Sequence, residues 1–253
     1  MQSNQQTQIK DLPLGRGVRV LVSNEHGLVA LEKPAGLLSH PNRSGEQVRC
    51  LLQADYDYDQ EVYIWKVGTR TQQAWLLNRL DSPTSGVVLL ALDNAIVPVV
   101  RQLFTAHKVQ KTYYAWVKNA PLPKVGSWKD SLKQSVYNSG KNSQTSTKIF
   151  AQTDFKVMET SQKKFPIKLL KLMPLTGRTH QLRIQCQLHK HPIIGDQTYG
   201  DFTLNRRIAR ETGEKRMFLH AKEIVLNYTL EGKVHPFKAV SELPEAFNRF
   251  EAM

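Results

Sequence analysis

Strand-like segments dominate this amino-acid sequence, and they leave few classes of fold open to it. Apolar or alternating runs include "GVVLLALD", "KTYYAWVKN", "FPIKLLKLMPL" and "RMFLHAKEIVLNY". A period of two residues, or a short apolar run bounded by turn-forming residues, is typical of strands. We therefore predict an α+β fold: a mixed, largely antiparallel sheet with flanking helices.

Helical spacing is confined to short stretches. Residues 46–55 and 94–107 carry apolar side chains at helical spacing, and Asp93 or Asn94 could cap the second stretch. In "TGRTHQLRIQCQLHKH", a turn at 176–179 precedes apolar pairs four residues apart, which predicts a strand, a turn and a helix. A short helix is expected at the carboxyl end.

The length of 253 residues is sufficient for one large domain. We expect a polar tail over residues 1–16 and a single catalytic domain over 17–253. The start lacks the apolar region of a signal peptide, and the two cysteines, Cys50 and Cys186, lack metal-site spacing. These features predict reduced core thiols and a cytoplasmic protein. They do not bear on the oligomeric state, for which a monomer is the simpler expectation.

The charge of the chain indicates a polyanionic partner. Lys and Arg number 35 against 22 Asp and Glu, which gives a formal net charge of +13. Nucleic acid and an anionic membrane both attract such a protein. A membrane protein needs about 18 consecutive apolar residues or a basic amphipathic anchor, and the sequence has neither. Nucleic acid is therefore the expected partner, and no membrane association is expected.

The segment "LNRLDSPTSG", residues 77–86, places charges where an apolar strand ends. Asp81 could simply cap the backbone, since Asp, Ser, Pro, Thr and Gly all favour turns. A carboxylate at the mouth of such a turn is also held rigidly while a ligand can reach it. Asp81 is therefore a candidate functional residue.

Arg183 lies in the first turn of the predicted helix after residue 179. It could form a surface salt bridge. A helix amino terminus disfavours positive charge, however, so Arg183 and the nearby Arg178 suggest that a carboxylate or phosphate lies opposite. Asp81 is the natural candidate for that carboxylate.

Tyr113 and Tyr114 are neighbours in one predicted strand, so they should point to opposite faces. One is expected in the core and the other in a cleft. The stretch "NRRIARETGEKR" is the best-supported basic patch, although many charge runs are merely solvated.

Several motifs together resemble the RluA-type pseudouridine synthases. They are "LEKPAGLLSH", "NRLDSPTSG", "KTYYAWV", "TGRTHQLRIQCQLHKHPIIGDQTYG" and "FLHA", in that order, and they span about residues 28–240. The resemblance implies the pseudouridine synthase catalytic fold. It also implies that a uridine in RNA is isomerised to pseudouridine. The S4 RNA-binding domain of some relatives is not expected here.

The resemblance also implies roles for individual residues. Asp81 corresponds to the essential carboxylate, and Tyr113 to the tyrosine that lies against the target base and is implicated in proton removal at C5. Arg183 corresponds to the arginine that pairs with the catalytic Asp, and Arg79 to the residue that fills the gap left by the extruded uridine. The family usually has His where this chain has Asn78.

Further RNA contacts are expected from basic residues. The full set of expected RNA-binding or base-flipping residues is Arg79, Lys111, Arg178, His180, Arg206, Arg207 and Arg210. No metal and no small-molecule cofactor is expected, because the implied isomerisation requires neither a redox step nor a metal.

Two chemical routes and several functions stay open at this point. The carboxylate could attack C1′ as a nucleophile or remove a proton from C2′ as a base, and the sequence does not choose between them. The main alternative function is a non-catalytic RNA-binding or assembly factor. A DNA-binding regulator would need a helix-turn-helix or zinc motif, and the sequence shows none. Similarity to the TruC-type branch favours tRNA over ribosomal RNA as the substrate.

Overall fold

The computed structural model describes residues 9–43, 45–136, 145–161 and 163–252. They form two compact units. Unit 1 contains the described residues up to Val109 and the segment His220–Glu242, and unit 2 contains Gln110–Leu219 and the described residues from Leu243 onward. The single catalytic domain expected over residues 17–253 stays a prediction.

The described part of unit 1 is built mainly on paired strands, against which an α-helix packs. Its strands are β1 (Arg19–Ser23), β2 (Leu28–Lys33), β3 (Asp55–Asp57), β4 (Val62–Val67), β5 (Arg70–Leu76), β6 (Ser85–Ala91), β11 (Leu219–Leu230) and β12 (Lys233–Val240), and its helix is α1 (Ile96–Thr105). The neighbours β3, β4, β5 and β6 pair antiparallel, as do β1 with β2, β2 with β6, and β11 with β12. Strand β6 pairs with β11 in parallel at Ser85 and Gly86.

The core of unit 1 lies around β6, all of whose residues are buried. Its continuous apolar run is typical of a strand that is covered on both faces. Helix α1 packs Ile96, Val97 and Val100 into this core. Because these side chains recur at helical spacing, they form one apolar stripe along α1.

Gly86 begins the apolar part of β6 at a point where no side chain fits. Its φ is +117°, and a Cβ there would lie 2.2 Å from the carbonyl oxygen of Ala221. Glycine is thus required both by the backbone conformation and by the close approach of β11. The turn that carries Asp81 is therefore followed by a fixed strand.

The described residues of unit 2 form four strands and three α-helices. They are β7 (Gln110–Lys118), β8 (Val125–Val136), β9 (Thr145–Val157), β10 (Ile167–Pro174), α2 (Gln181–Leu188), α3 (Phe202–Thr212) and α4 (Glu245–Glu251). The strands pair antiparallel in the order β7, β10, β9, β8.

The two faces of β7 pack against different cores. Tyr113 contacts the cluster that contains Leu172 and Cys186, whereas Tyr114 contacts the cluster that contains Trp116 and Phe247. This alternation confirms that the two tyrosines point to opposite faces.

The predicted fold class is confirmed: both units rest on largely antiparallel strands with few helices. The helix predicted over residues 46–55 is wrong, because only Gln47–Arg49 form a short 3₁₀ helix. Cys50 and Leu52 instead bridge to Leu38 and Leu14, so this apolar stretch is buried as extended chain. Strand β8 and helix α3 were not predicted.

Cys50 and Cys186 are buried free thiols, as expected. Burial raises the pKa of the Cys50 thiol to about 11. Among the described residues, no helix has the length and apolar character needed to cross a membrane.

Candidate active site

The segment 77–84 of unit 1, which carries Asp81, is anchored on both sides of that residue. Asn78 accepts a hydrogen bond from the Leu89 amide at its Oδ1, at 2.7 Å. The buried Ser39 hydroxyl donates to the Leu80 carbonyl at 2.8 Å and accepts from the Leu80 amide at 2.9 Å. Asn78 therefore has a backbone-anchoring role.

Asp81 itself lies in a tight turn. Its carbonyl accepts from the Thr84 amide at 3.0 Å, and its side chain is half-buried. Leu80 before it is buried, and Arg79 is exposed. The turn thus holds the carboxylate on a fixed backbone without covering it completely, as a reacting group requires.

Lys33 is a completely buried lysine that ties the Asp81 turn to the preceding loop. Its Nζ donates to the carbonyls of Leu37 at 2.7 Å, Ser82 at 3.0 Å and Pro34 at 3.2 Å. A buried lysine is tolerated only when its donors are satisfied, and these oxygens satisfy them. Sequence reasoning missed this residue, although a lysine at the end of the apolar strand β2 was a usable signal.

The Arg79 side chain lies next to a pair of stacked aromatic rings in unit 1. Its Nη1 lies 3.4 Å from His40 Nε2 and 3.8 Å from Glu61 Oε1. His40 in turn stacks on Tyr56 with ring centroids 5.1 Å apart and an interplanar angle of 10°. An exposed guanidinium next to stacked rings is suited to contact bases of a nucleic acid.

Lys111 and Tyr113 lie two residues apart on β7, so both point to the same face of that strand. The Lys111 amine donates to the Thr176 carbonyl at 3.1 Å. Burial lowers the pKa of this amine to about 8. Lys111 therefore supports the turn before α2 in addition to the RNA contact expected of it.

Gln181, the first residue of α2, organises that turn. Its Oε1 accepts from the Thr176 hydroxyl at 2.7 Å and from the Arg178 amide at 3.0 Å. Its Nε2 donates to Thr153 Oγ1 at 3.0 Å. The turn also places His180 in the left-handed region, with φ of 52°. The predicted strand, turn and helix are thus confirmed, with Gln181 as the residue that fixes them.

Arg183 projects from α2 into a buried ion pair that the sequence did not predict. Its Nε donates to Asp196 Oδ2 at 2.7 Å, and its Nη2 donates to Asp196 Oδ1 at 3.0 Å. The guanidinium also lies 5.1 Å from the Tyr199 ring. A guanidinium has five N–H donors, more than these two bonds use, so the expected pairing of Arg183 with Asp81 stays a prediction.

Asp196 is held as a carboxylate by its surroundings. Burial opposes its ionisation, but the hydrogen bond from Arg183 and those from the Tyr199 and Thr198 amides outweigh burial, and the pKa of Asp196 is lowered. The preceding Gly195 has φ of +77°, and a Cβ there would lie 1.8 Å from the Arg216 carbonyl oxygen. The "GD" pair in "HPIIGDQTYG" was the signal that could have identified this anchor.

The predicted basic patch lies on α3 in unit 2. Arg206, Arg207 and Arg210 are all exposed, and Arg207 pairs with Glu211 at 2.9 Å. Arg206 and Arg210 are four residues apart and share a face of the helix. Arg178, outside the helix, donates from Nε to the Phe150 carbonyl at 3.1 Å. The helix presents positive charge that could contact phosphates.

The amino-acid sequence matches a known protein family and is similar to several of its members. A family model described as RNA pseudouridylate synthase matches residues 27–188. The tRNA pseudouridine synthase C of Yersinia pestis is 32% identical over 227 residues, which cover 85% of this chain and 83% of the relative. The dual-specificity RNA pseudouridine synthase RluA of Escherichia coli is 32% identical over 235 residues, which cover 88% and 93% of the two chains.

A solved structure has a similar fold. Human RNA Pseudouridylate Synthase Domain Containing 4 aligns with a TM-score of 0.63 and 24% identity, covering 99% of this chain and 96% of the human chain. At that identity the likeness concerns the fold.

Proposed function

This chain belongs to the RNA pseudouridylate synthase family and is an RNA pseudouridine synthase, and we propose that its substrate is a uridine of tRNA. The observation that carries the choice of tRNA is the 32% identity to a tRNA pseudouridine synthase C over most of both chains. Ribosomal RNA, the alternative that the sequence left open, stays the second candidate. We further propose that the enzyme acts as a monomer in the cytoplasm.

Asp81 is the proposed catalytic carboxylate. Pseudouridine formation breaks the bond from N1 to C1′, turns the uracil, and joins C5 to C1′. As a nucleophile, Asp81 would form an ester with C1′ as the uracil departs as an anion, and C5 would then displace the carboxylate. As a base, it would remove the C2′ proton as the uracil anion departs, which leaves a glycal, and the proton would return to C2′ when C5 joins C1′. Both routes use an ionised carboxylate that is held on a rigid turn. The backbone at Asp81 forms such a turn.

Arg183 and Tyr113 are proposed to act on the same nucleotide. A guanidinium near Asp81 would donate charge-assisted hydrogen bonds to the carboxylate and orient it. Asp196 supports this role because it fixes the guanidinium plane through two hydrogen bonds. Tyr113 is proposed to lie against the uracil and to assist removal of the C5 proton once the new bond has formed.

Access to the uridine requires that the nucleotide leave its stack, at a cost of a few kcal/mol. Arg79 is proposed to fill the vacated space, since its side chain is exposed beside the His40 and Tyr56 rings. Further contacts with the RNA are assigned to Lys111, Arg178, His180, Arg206, Arg207 and Arg210.

The substrate is tested by mapping pseudouridines in total RNA from a deletion strain and its parent. We expect one or more tRNA positions to revert to uridine, and expression of the wild-type chain to restore them. A chain with Asp81→Asn should not restore them, because the proposed reaction depends on that carboxylate. Loss of a ribosomal RNA position with all tRNA positions unchanged would refute the tRNA proposal.

A further inference from the structure

A group of metal-ligating side chains in unit 1 has no part in the proposed reaction. Glu25 and His26 occupy the turn between β1 and β2, and His235 lies on β12. One potential ligand atom from each of the three lies within 4.8 Å of the others. The group offers two imidazole nitrogens and one carboxylate oxygen.

His26 is oriented by a partner at one of its ring nitrogens. Its Nδ1 lies 2.6 Å from the Tyr228 hydroxyl, which also accepts from Asn24 Nδ2 at 2.7 Å. In metal sites, the nitrogen that does not bind the metal usually donates to such a neighbour, which fixes the tautomer and the ring plane. Donation from Nδ1 leaves the lone pair on Nε2, which lies 3.9 Å from Glu25 Oε1.

His235 is brought to the same place by the register of β12. It pairs with Tyr228 across the β11–β12 ladder, and its ring stacks on the Tyr228 ring with centroids 5.4 Å apart. Its centroid lies 4.3 Å from that of His26. Within the part of the chain that the structure describes, no hydrogen bond uses the ring nitrogens of His235. Two half-buried imidazoles and a carboxylate thus converge.

We propose that Glu25, His26 and His235 bind one Zn²⁺ ion and leave a coordination position to water. Imidazole nitrogen is a preferred zinc ligand, whereas Mg²⁺ and Ca²⁺ favour sites made entirely of oxygen. Zinc bonds of about 2.0–2.2 Å place tetrahedral ligand atoms about 3.3 Å apart. Ligand atoms that lie within 4.8 Å of one another must therefore close by up to about 1.5 Å, and the Glu25 side chain, 63% exposed on a turn, can supply part of that movement.

A bound ion would tie the β1–β2 turn to β12 and stabilise unit 1. This role is separate from the proposed reaction, which requires no metal. It also revises the expectation from sequence that the protein has no metal site. Spacing in the sequence could not have indicated this site, because the two histidines are separated by more than 200 residues, whereas zinc motifs are recognised by short spacings.

The site is tested by titrating the metal-free wild-type protein with ZnCl₂, using calorimetry for stoichiometry and thermal unfolding for stabilisation. We expect one saturable equivalent of zinc and a rise in the unfolding midpoint. His26→Gln and His235→Gln should each weaken this binding at least tenfold. His107→Asn is the matched control, because His107 is exposed and its left-handed backbone conformation is one that asparagine tolerates.

Two further variants keep the test decisive if a histidine variant unfolds. Tyr228→Phe retains all three ligands but removes the oxygen that orients His26, and it should weaken zinc binding about tenfold. Glu25→Gln removes only the carboxylate of an exposed residue and should also weaken binding.

The proposal fails if the wild-type protein shows no saturable zinc binding. It also fails if both histidine variants bind as the wild type does, if His107→Asn loses the same equivalent, or if MgCl₂ gives an equal stabilisation. Pseudouridine formation by metal-free His26→Gln should equal that of the metal-free wild type, so the zinc site and the proposed RNA substrate are tested independently.

Discussion

The guanidinium of Arg183 is held in a two-pronged ion pair by Asp196, with Nε–Oδ2 and Nη2–Oδ1 distances of 2.7 and 3.0 Å. Both side chains are almost fully buried. Removal of one member of such a pair leaves an uncompensated charge, which costs more than the pair itself contributes. Asp196 thereby determines where the Arg183 guanidinium points.

Asp196→Asn should therefore lower both stability and turnover. We expect a loss of about 3 kcal/mol in the free energy of unfolding, measured with urea, and a decrease in kcat that exceeds any change in KM. The matched control is Asp201→Asn, whose carboxylate is part-exposed, caps α3 and pairs with Lys118. Because Asn caps a helix about as well as Asp, this variant should lose at most about 1 kcal/mol, from the ion pair, and keep kcat unchanged. Equal kcat values for the Asp196 variant and the wild type would show that the positioning of Arg183 by Asp196 does not contribute to catalysis.

Asp81→Asn should abolish pseudouridine formation and leave RNA affinity nearly intact, because the amide is neither an effective nucleophile nor a base. Single-turnover product formation and filter binding measure the two quantities on the same RNA. Asp59→Asn, an exposed position in the same unit, serves as the control and should react normally. Substantial product from the Asp81 variant would contradict the assignment.

Lys111 should make stability depend on pH in alkaline solution. Its pKa is about 8 in the folded chain because of burial, whereas an exposed lysine titrates at about 10.4. Below pH 8 both states are protonated and the fold bears the desolvation cost. Between pH 8 and about 10.4 only the folded state has lost its proton, so stability rises with pH.

Lys111→Met should remove that rise, which is at most about 3 kcal/mol. The measurement is the free energy of unfolding in urea at several values from pH 7 to pH 10, compared with the wild type. Lys108→Met changes an exposed lysine and should keep the wild-type slope. Parallel curves for the wild type and the Lys111 variant would show that burial does not shift this amine.

Gly86→Ala should destabilise the chain far more than Gly232→Ala. Both glycines have positive φ, but a Cβ at position 86 would lie 2.2 Å from the Ala221 carbonyl oxygen, whereas at position 232 it would meet nothing within 4 Å. We expect a loss of about 3 kcal/mol or more at position 86 and about 1 kcal/mol at position 232. Equal losses in the free energy of unfolding, measured with urea, would mean that backbone strain alone determines the cost at both positions.

Replacement of Arg206 and Arg210 by Ala should weaken RNA binding and reduce its salt dependence. Each lost phosphate contact lowers the slope of log affinity against log salt concentration by about 1. Lys233 and Lys238 are exposed on β12, and their double replacement changes the net charge equally. An identical slope in both double variants would assign the effect to net charge instead of to the α3 surface.

The predictions that succeeded depend on local patterns. Each of these patterns is complete within about ten residues. They are the apolar run of β6, the alternation of β7 and the helical spacing of α1. The predicted helix at 46–55 failed because its spacing did not reveal that Cys50 and Leu52 pair with distant chain. Helix α3 was missed because its charged residues outnumber its two buried side chains, Leu204 and Ile208.

The amino-acid sequence determined the fold class, the family and the identity of the candidate residues, since turn chemistry, periodicity and ordered motifs are properties of neighbouring residues. Tertiary structure alone assigned Asp196 to Arg183, the carbonyl oxygens of Pro34, Leu37 and Ser82 to Lys33, and His235 to His26. The physical reason is that a buried charge or imidazole takes whichever partner the folded chain brings within bonding distance, and that partner can be far away in sequence.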